Sequence, residues 1–374
     1  MTLTKSSVSL FVDKALVQAV KSALLFVPAR LRVNLVIGAI KLTVEPSWVT
    51  LETTDLDAHF RVRVEQPGLY AQDSFSVMIT AHAVKGLKPG ARFSVLPDEY
   101  TVGGATYTPE FDARDFPGLP PVPDGETADL LATYFTDLAD CAQSAQPINV
   151  VSRRMLASVY HHNGKLFATD SYKACEIRSA IGSLEGAKVL AAAAPALKKL
   201  FGQAGAAAEC DFHRVRYHDE TRELSLRTVE GPYPDFSRSL WTDRLPSTGT
   251  IPDVSPWIVT CEEVVRMHSA APKKEQDRLW SILLSIREDE AILSLTYRGL
   301  RFASGPLPFA ATRRGMEPVS GAFNARNLKT ALAQVGDGAV LTLHSRRGRT
   351  PQFYLSSDTR TTLVMGITPV ADAQ

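Results

Sequence analysis

The sequence is short of the residues that carry covalent or metal chemistry. Its four cysteines, Cys141, Cys175, Cys210 and Cys261, stand far apart, with no Cys-x-x-Cys pair among them. That excludes a zinc-ribbon type of site and a disulfide frame. No apolar run is long enough to span a bilayer. The opening stretch MTLTKSSVSLFVDKAL lacks the basic-then-apolar layout of a secretory signal, so the cytoplasm is the expected location. Charge of one sign is missing too: 41 Lys and Arg face 40 Asp and Glu, for a net +1. Any binding of nucleic acid must then come from local charge. There is no G-x-x-x-x-G-K-[ST] loop, no G-x-G-x-x-G turn and no G-x-S-x-G elbow, and no cofactor is expected.

What is present is repetition. The 374 residues suffice for two or three domains. ARDFPGL (113–119) is echoed by GPYPDFSRSL (231–240), with Pro117 and Pro234 separated by 117 residues. LETTDLDAHF (51–60) and LFATDSYKAC (166–175) share an apolar start and a Thr-Asp pair, and Asp55 and Asp170 lie 115 apart. LSLTYRGLRF (293–302) is a degenerate third copy. Each reads as strand, tight turn, strand.

Helices recur at the same intervals. Residues 11–24, 130–143 and 260–271 carry helical apolar periodicity, and a second helix follows each Thr-Asp segment, in TAHAVKGLKPG, APALKKLFGQAG and FNARNLKTALAQVG. Each second helix ends near a glycine, and alternating strands follow. The expected fold is α+β, three tandem copies of one unit at 1–122, 123–250 and 251–374. Each copy has two helices packed on antiparallel sheet. The proline-aromatic knots fall at unit ends, where proline stops a sheet ladder and the neighbouring aromatic plugs the edge.

The second helices share one sign of charge: Lys85 and Lys88, Lys198 and Lys199, Arg326 and Lys329, with no acid in the segments quoted. Lysines near helix C-termini complement the helix dipole. The same sign at three equivalent positions also reads as a track for a phosphate backbone. Other polar clusters are weaker. HHNG (161–164) reads as an exposed hairpin turn. Asp55 and Asp57 alternate onto one strand face and suit a metal-dependent nuclease, but Asp170 recurs without a second carboxylate, which favours a turn-capping role for Asp55.

In order and spacing, these landmarks resemble one family along essentially the whole chain: the beta subunit of bacterial DNA polymerase III, the sliding clamp. TTDLDAHFRVRV is similar to its Thr-Asp-Leu-Glu turn, ATDSYKAC to Ala-Thr-Asp-Gly-His-Arg-Leu-Ala, and EGPYPDFSRSL to Gly-x-Phe-Pro-Asp-Tyr-x-x-Val-Leu. AFNARNLKTAL is similar to its Phe-Asn-x-x-Tyr-Leu helix start, and TLVMGITPV to its Val-Val-Met-Pro-Met-Arg close. The resemblance implies a non-catalytic processivity factor in DNA replication. Two head-to-tail copies would form a ring around duplex DNA, lined by the helices, and would tether the polymerase and clamp-loader subunits. A regulator that keeps this fold without closing a ring is the alternative, beside the nuclease.

Site residues follow from the same resemblance. DNA contacts are implied at Arg30 and Gln146, beside the six basic residues above. A pocket for a partner's short peptide is implied at Thr169, Ser171, Tyr172, Lys173 and Ala174. Pro234, Ser239, Asn324 and Asn327 join it, as do Leu363, Val364, Met365, Gly366 and Ile367. The dimer interface is expected to set Tyr107 against Val264 and Met267. The sequence departs from the family at Ser171-Tyr172-Lys173-Ala174, at Asn327, and at Gly366, where a glycine in place of proline implies a looser tail.

Overall fold

The computed structural model describes residues 7–28, 35–69, 73–148, 151–235, 248–270, 281–297, 300–312, 318–344 and 351–367. One order of elements runs through it three times: strand, helix, four strands, helix, three strands. The first pass is β1 (Val8–Leu10), α1 (Lys14–Ala23), β2 (Ala39–Glu45), β3 (Trp48–Thr54), β4 (Ala58–Glu65), β5 (Phe75–Thr80), α2 (Ala81–Val84), β6 (Phe93–Leu96), β7 (Glu99–Val102) and β8 (Ala105–Tyr107). The second is β9 (Ala128–Leu130), α3 (Ala132–Ala142), β10 (Ser158–His162), β11 (Lys165–Thr169), β12 (Lys173–Arg178), β13 (Lys188–Leu190), α4 (Ala194–Phe201), β14 (Ala206–Cys210), β15 (Arg214–His218) and β16 (Arg222–Arg227). The third is β17 (Gly249–Ile251), α5 (Ser255–Ser269), β18 (Ser281–Arg287), β19 (Glu290–Tyr297), β20 (Leu300–Ala303), an added β21 (Ala310–Ala311), β22 (Val319–Asn324), α6 (Ala325–Val335), β23 (Ala339–His344), β24 (Gln352–Ser356) and β25 (Arg360–Met365).

Pairing repeats with the order. The first strand of each pass pairs with the strand after the second helix: β1 with β6, β9 with β14, β17 with β23. Each pass thus builds two short sheets, and sheets of successive passes fuse edge to edge. In one compact unit (1–132, 182–187 and 199–228), β4 pairs with β16 in an eight-stranded sheet ordered β5-β2-β3-β4-β16-β15-β14-β9. In the other (133–181, 188–198 and 229–374), β12 pairs with β25 in a nine-stranded sheet ordered β13-β10-β11-β12-β25-β24-β23-β17-β21. Compactness therefore divides the chain into two units, because the fusion draws the second pass into both.

The two joints match bond for bond. Arg63 N donates to Thr221 O at 2.8 Å in the first, and Arg178 N to Thr359 O at 2.8 Å in the second. Arg227 N donates to Asp57 O, and Met365 N to Tyr172 O, again both at 2.8 Å. Two sheets have no such joint. These are β1-β6-β7-β8 and β20-β19-β18-β22, whose edge strands β8 and β20 have no second partner among the described residues.

Strand alternation places the cores. On β4, Phe60, Val62 and Val64 are buried on one face, while His59, Arg61 and Arg63 take the other. Helix caps follow the sequence: Asp13 accepts from Leu16 N at 2.7 Å, and Asn324 accepts from Arg326 N and Asn327 N. Gly336 ends α6 at φ 81°, a conformation that costs glycine little.

Several expectations need correction. The second helix of the first pass is a single turn, Ala81–Val84, so Lys85 and Lys88 lie beyond it; Gly86 and Pro89 stop its propagation. The first helix of the third pass begins at Ser255, earlier than the periodicity placed it, because Pro256 suits a first turn and Trp257 is fully buried with Nε1 donating to Pro308 O at 3.0 Å. HHNG is a hairpin turn, with Asn163 and Gly164 both at positive φ, yet His161 is buried and shares a 2.8 Å hydrogen bond with the Tyr134 hydroxyl.

Candidate functional site

The second joint gathers most of the expected pocket residues. Thr169 ends β11, and its hydroxyl donates to Lys173 O at 2.7 Å while accepting from Ser171 N. The Asp170 carboxylate accepts from Tyr172 N and Lys173 N, each at 2.8 Å. This hairpin puts Ser171 at φ 77° and leaves Tyr172 standing 65% exposed. Thr54, Asp55 and Leu56 make the same bonds in the first pass. The Asp55 carboxylate is thus a turn-holding group, as its counterpart is, which removes the reason for assigning it to a nuclease centre. Among the described residues, no group of three or more His, Cys, Asp and Glu is placed to hold a metal.

Beside the turn lies a small apolar cluster. Ala174 pairs with Leu363, and Leu363 with Tyr354, so all three share one face of the sheet and are buried, with Met365 half-buried next to them. Val364 points the other way, into the core of its unit, so it supports the site without lining it. Sequence reasoning missed Tyr354, Gln352 and Arg153. The Tyr354 hydroxyl donates to Gln352 Oε1 at 2.9 Å, and Arg153 Nη1 donates to Ser171 Oγ at 3.2 Å. The alternation in QFYLS set Tyr354 opposite Phe353, but which strand it faced depended on sheet order.

Burial shapes the charges here. It raises the Asp170 carboxyl above its ordinary value against two backbone N–H donors, and lowers the Lys173 ammonium against the pull of Asp170. The Lys173 Nζ donates to Gln143 O at 2.7 Å, just past the end of α3. Gly366 is not loose. Its N–H donates to Pro351 O, Ile367 N donates to Ala322 O at 2.8 Å, and a Cβ at Gly366 would collide with the Pro351 ring. Asn324 is occupied as the α6 cap, and Asn327 is half-buried on that helix.

The proline-aromatic knots behave as plugs. Tyr233 stacks on Tyr160 at 5.0 Å, its hydroxyl donates to Ser158 O and Phe167 O, and burial raises its pKa. Pro234 beside it is exposed. Phe116 of the earlier knot is buried edge-on against His59. Ser239 lies outside the described residues, as does Arg30.

Of the basic positions, Lys85, Lys88, Lys198, Lys199 and Arg326 are exposed. Lys329 is not a bare cation: its Nζ lies 2.7 Å from Glu262 Oε1 on α5. Gln146 is half-buried, and its N–H donates to Leu156 O at 2.8 Å. Tyr107 stacks on Tyr100 at 5.2 Å on the open edge strand β8. Met267 is partly exposed, but Val264 is fully buried in the core of its own unit and is withdrawn as an interface residue.

Comparison with solved structures decides the fold. The chain overlays the Bacillus subtilis DNA polymerase sliding clamp with a TM-score of 0.80 at 15% identity, over 97% of this chain and 99% of that one. The chain has the fold of the bacterial β sliding clamps. The Bartonella birtlesii sliding clamp (DNA polymerase III subunit beta), bound to griselimycin, matches with a TM-score of 0.79 at 17% identity, covering 97% and 100% of the two chains. The Helicobacter pylori β clamp bound to a DNA ligase peptide gives 0.76 at 16% identity, with the same coverage. No protein-family model matches the sequence, and no curated protein matches it. The clamp fold thus persists here at 15 to 17% sequence identity.

Proposed function

We infer that the chain is a DNA sliding clamp: a non-catalytic ring that encircles duplex DNA and tethers a polymerase and other partners. The observation that carries this reading is the likeness to clamp structures along 97% of the chain. The strand pairing supports closure. β4 joins β16 and β12 joins β25 inside the chain, and the corresponding strands of the remaining joint are β20 and β8. Two copies head to tail would complete it on both sides, giving six domains, with 1–122, 123–250 and 251–374 in each copy.

In this reading the exposed Lys85, Lys88, Lys198, Lys199 and Arg326 face DNA, with Arg30 and Gln146. Contacts of that kind are weak and salt-screened, which suits sliding. Lys329, held by Glu262, contributes least. A partner's short peptide would lay an apolar side chain beside Tyr172, Ala174, Leu363 and Met365, with its backbone along the rigid Thr169–Lys173 turn. The H. pylori clamp, solved with a DNA ligase peptide, is a precedent for that type of ligand.

The test is topological. Chain assembled on nicked circular plasmid with a clamp loader should stay with the DNA through gel filtration at raised salt, and should be lost once the plasmid is linearised. Equal retention on circular and linear DNA would exclude encirclement.

A further inference from the structure

In two of the three passes, the segment after the last strand is fastened by its backbone to the strand before the second helix. Val229 N donates to Lys188 O of β13 at 2.9 Å, and Ile367 N donates to Ala322 O of β22 at 2.8 Å. The registers make these one position. Lys188 faces Tyr160 and Ala322 faces Leu283, each in the third pair counted from the end nearer the second helix, and in the first pass that pair is Met78 facing Lys41. The donors correspond too. Asp112 stands as far beyond Ala105, which opens β8, as Val229 stands beyond Arg222 and Ile367 beyond Arg360. Yet no backbone bond joins Asp112 to Met78. Asp112 instead caps a short 3₁₀ turn, Ala113–Asp115: its carboxylate accepts from Arg114 N at 2.9 Å and holds the Arg114 guanidinium.

Between the two segments lies a groove of about 810 Å³, lined by residues 74–78 along β5 and by residues 108–114 opposite, a size that ligand pockets commonly have. β5 is the outer strand of its sheet, with β2 as its one strand partner among the described residues. The Thr80 N–H turns to the Tyr100 hydroxyl at 3.0 Å instead of to β2. Alternation then turns the backbone groups of Met78 and Ser76 away from β2 as well, toward the groove. Phe75 and Phe111, both half-buried, supply apolar surface. The charges favour a cation. The two basic side chains of the groove are committed: Lys41 Nζ lies 3.1 Å from Glu52 Oε2 and over the Phe116 ring, and Arg114 is held by Asp112. The acids are Asp98, Glu110 and Asp112, with Asp115 beside Arg114. Asp98 and Asp112 have interactions already, whereas the exposed Glu110 has none among the described residues.

From this, we propose that the open edge of β5 accepts an extended basic peptide of a partner protein, added as a further strand between β5 and residues 108–114. A peptide N–H would donate to Met78 O, as Val229 and Ile367 donate in their own passes. A lysine or arginine would reach Glu110, and an apolar side chain would sit against Phe75 and Phe111. The site is separate from the Thr169–Lys173 turn and does not depend on the clamp reading.

Fluorescence anisotropy on the full chain tests it with a labelled peptide of alternating lysine and valine. Two further versions are N-methylated, one on the lysine amides and the other on the valine amides. A strand donates to its neighbour from alternate residues only, so one version should lose binding while the other keeps it. Glu110→Lys, a change at an exposed side chain, should weaken the unmethylated probe about tenfold, and a probe of alternating glutamate and valine should not bind. Equal behaviour of the two N-methylated probes, indifference to Glu110→Lys, or no binding at about millimolar concentration overturns the proposal. Self-association of the chain that excess probe reverses would assign the edge to a second copy, and would overturn it as well.

Discussion

Glu223 shows how single side chains hold the first joint. It is almost buried on β16, and it meets Arg61 across the joint and Arg216 at 2.9 Å on β15. Burial pushes its pKa up, but the Arg216 hydrogen bond and the Arg61 charge outweigh that and leave it below the ordinary 4.5. A carboxylate with a lowered folded pKa adds stability that is present above its unfolded pKa and lost as pH falls through the folded one. Glu223→Gln should therefore cost ~2 kcal/mol at neutral pH, by leaving Arg61 without its anion and Arg216 with Glu209 alone. The gap to wild type should narrow below about pH 4.5. Urea midpoints at pH 7 and pH 3 check this, and a constant gap would rule out the charge contribution.

At the scale of elements, the second joint is fastened differently. Arg360 opens β25, and its guanidinium donates to Asp137 Oδ1 and Asp140 Oδ2 of α3 at 2.9 Å and to Gln334 O near the end of α6 at 2.8 Å. One side chain thus ties two helices to a strand. Asp137 is already raised by burial, against its bonds to Ser179 and Arg360. Arg360→Met should destabilise by ~3 kcal/mol, because it strands two part-buried carboxylates. Adding Asp137→Asn and Asp140→Asn should recover part of that loss. Strictly additive losses in a thermal melt would show that the three residues do not act as one unit.

For the whole molecule, the register of the joint that the proposed ring would add can be written in advance. Glu223 faces Arg61 and Thr361 faces Glu176 at the two joints within the chain. The same alignment sets Thr106 opposite Ala303 of a second copy, and Tyr107 opposite Phe302, since Thr101↔Thr106 and Ser294↔Ala303 occupy matching ladder positions. Directly opposed residues bring Cβ atoms to about 5 Å. A chain carrying Thr106→Cys and Ala303→Cys should therefore form covalent dimers with a short bismaleimide, whereas either single variant should not. Equal yields from the double and single variants would refute the register.

Much of this architecture was legible in the sequence, because the features that repeat are local. A Thr-Asp turn is built by side chains bonding their own backbone two or three residues on, so TTDLD and ATDSY announce it wherever they stand. Helical periodicity and glycine stops located α1, α3, α4 and α6 in the same way. The site was only partly legible. The turn and the Leu363–Met365 strand could be named, but the roles of Tyr354 and Arg153 could not, nor could the burial of Val264 or the pairing of Lys329 with Glu262. Those depend on which strands and helices become neighbours, and contacts between residues far apart in the chain leave no periodic trace. Sequence alone determined the repeated unit, because its turns, caps and alternating strands are each specified within a few residues. Tertiary structure alone decided that edges of successive units fuse, that one joint is apolar and the other charged, and that β8 and β20 have no second partner among the described residues, because backbone pairing at an edge is blind to side-chain identity and is settled only when the sheets meet.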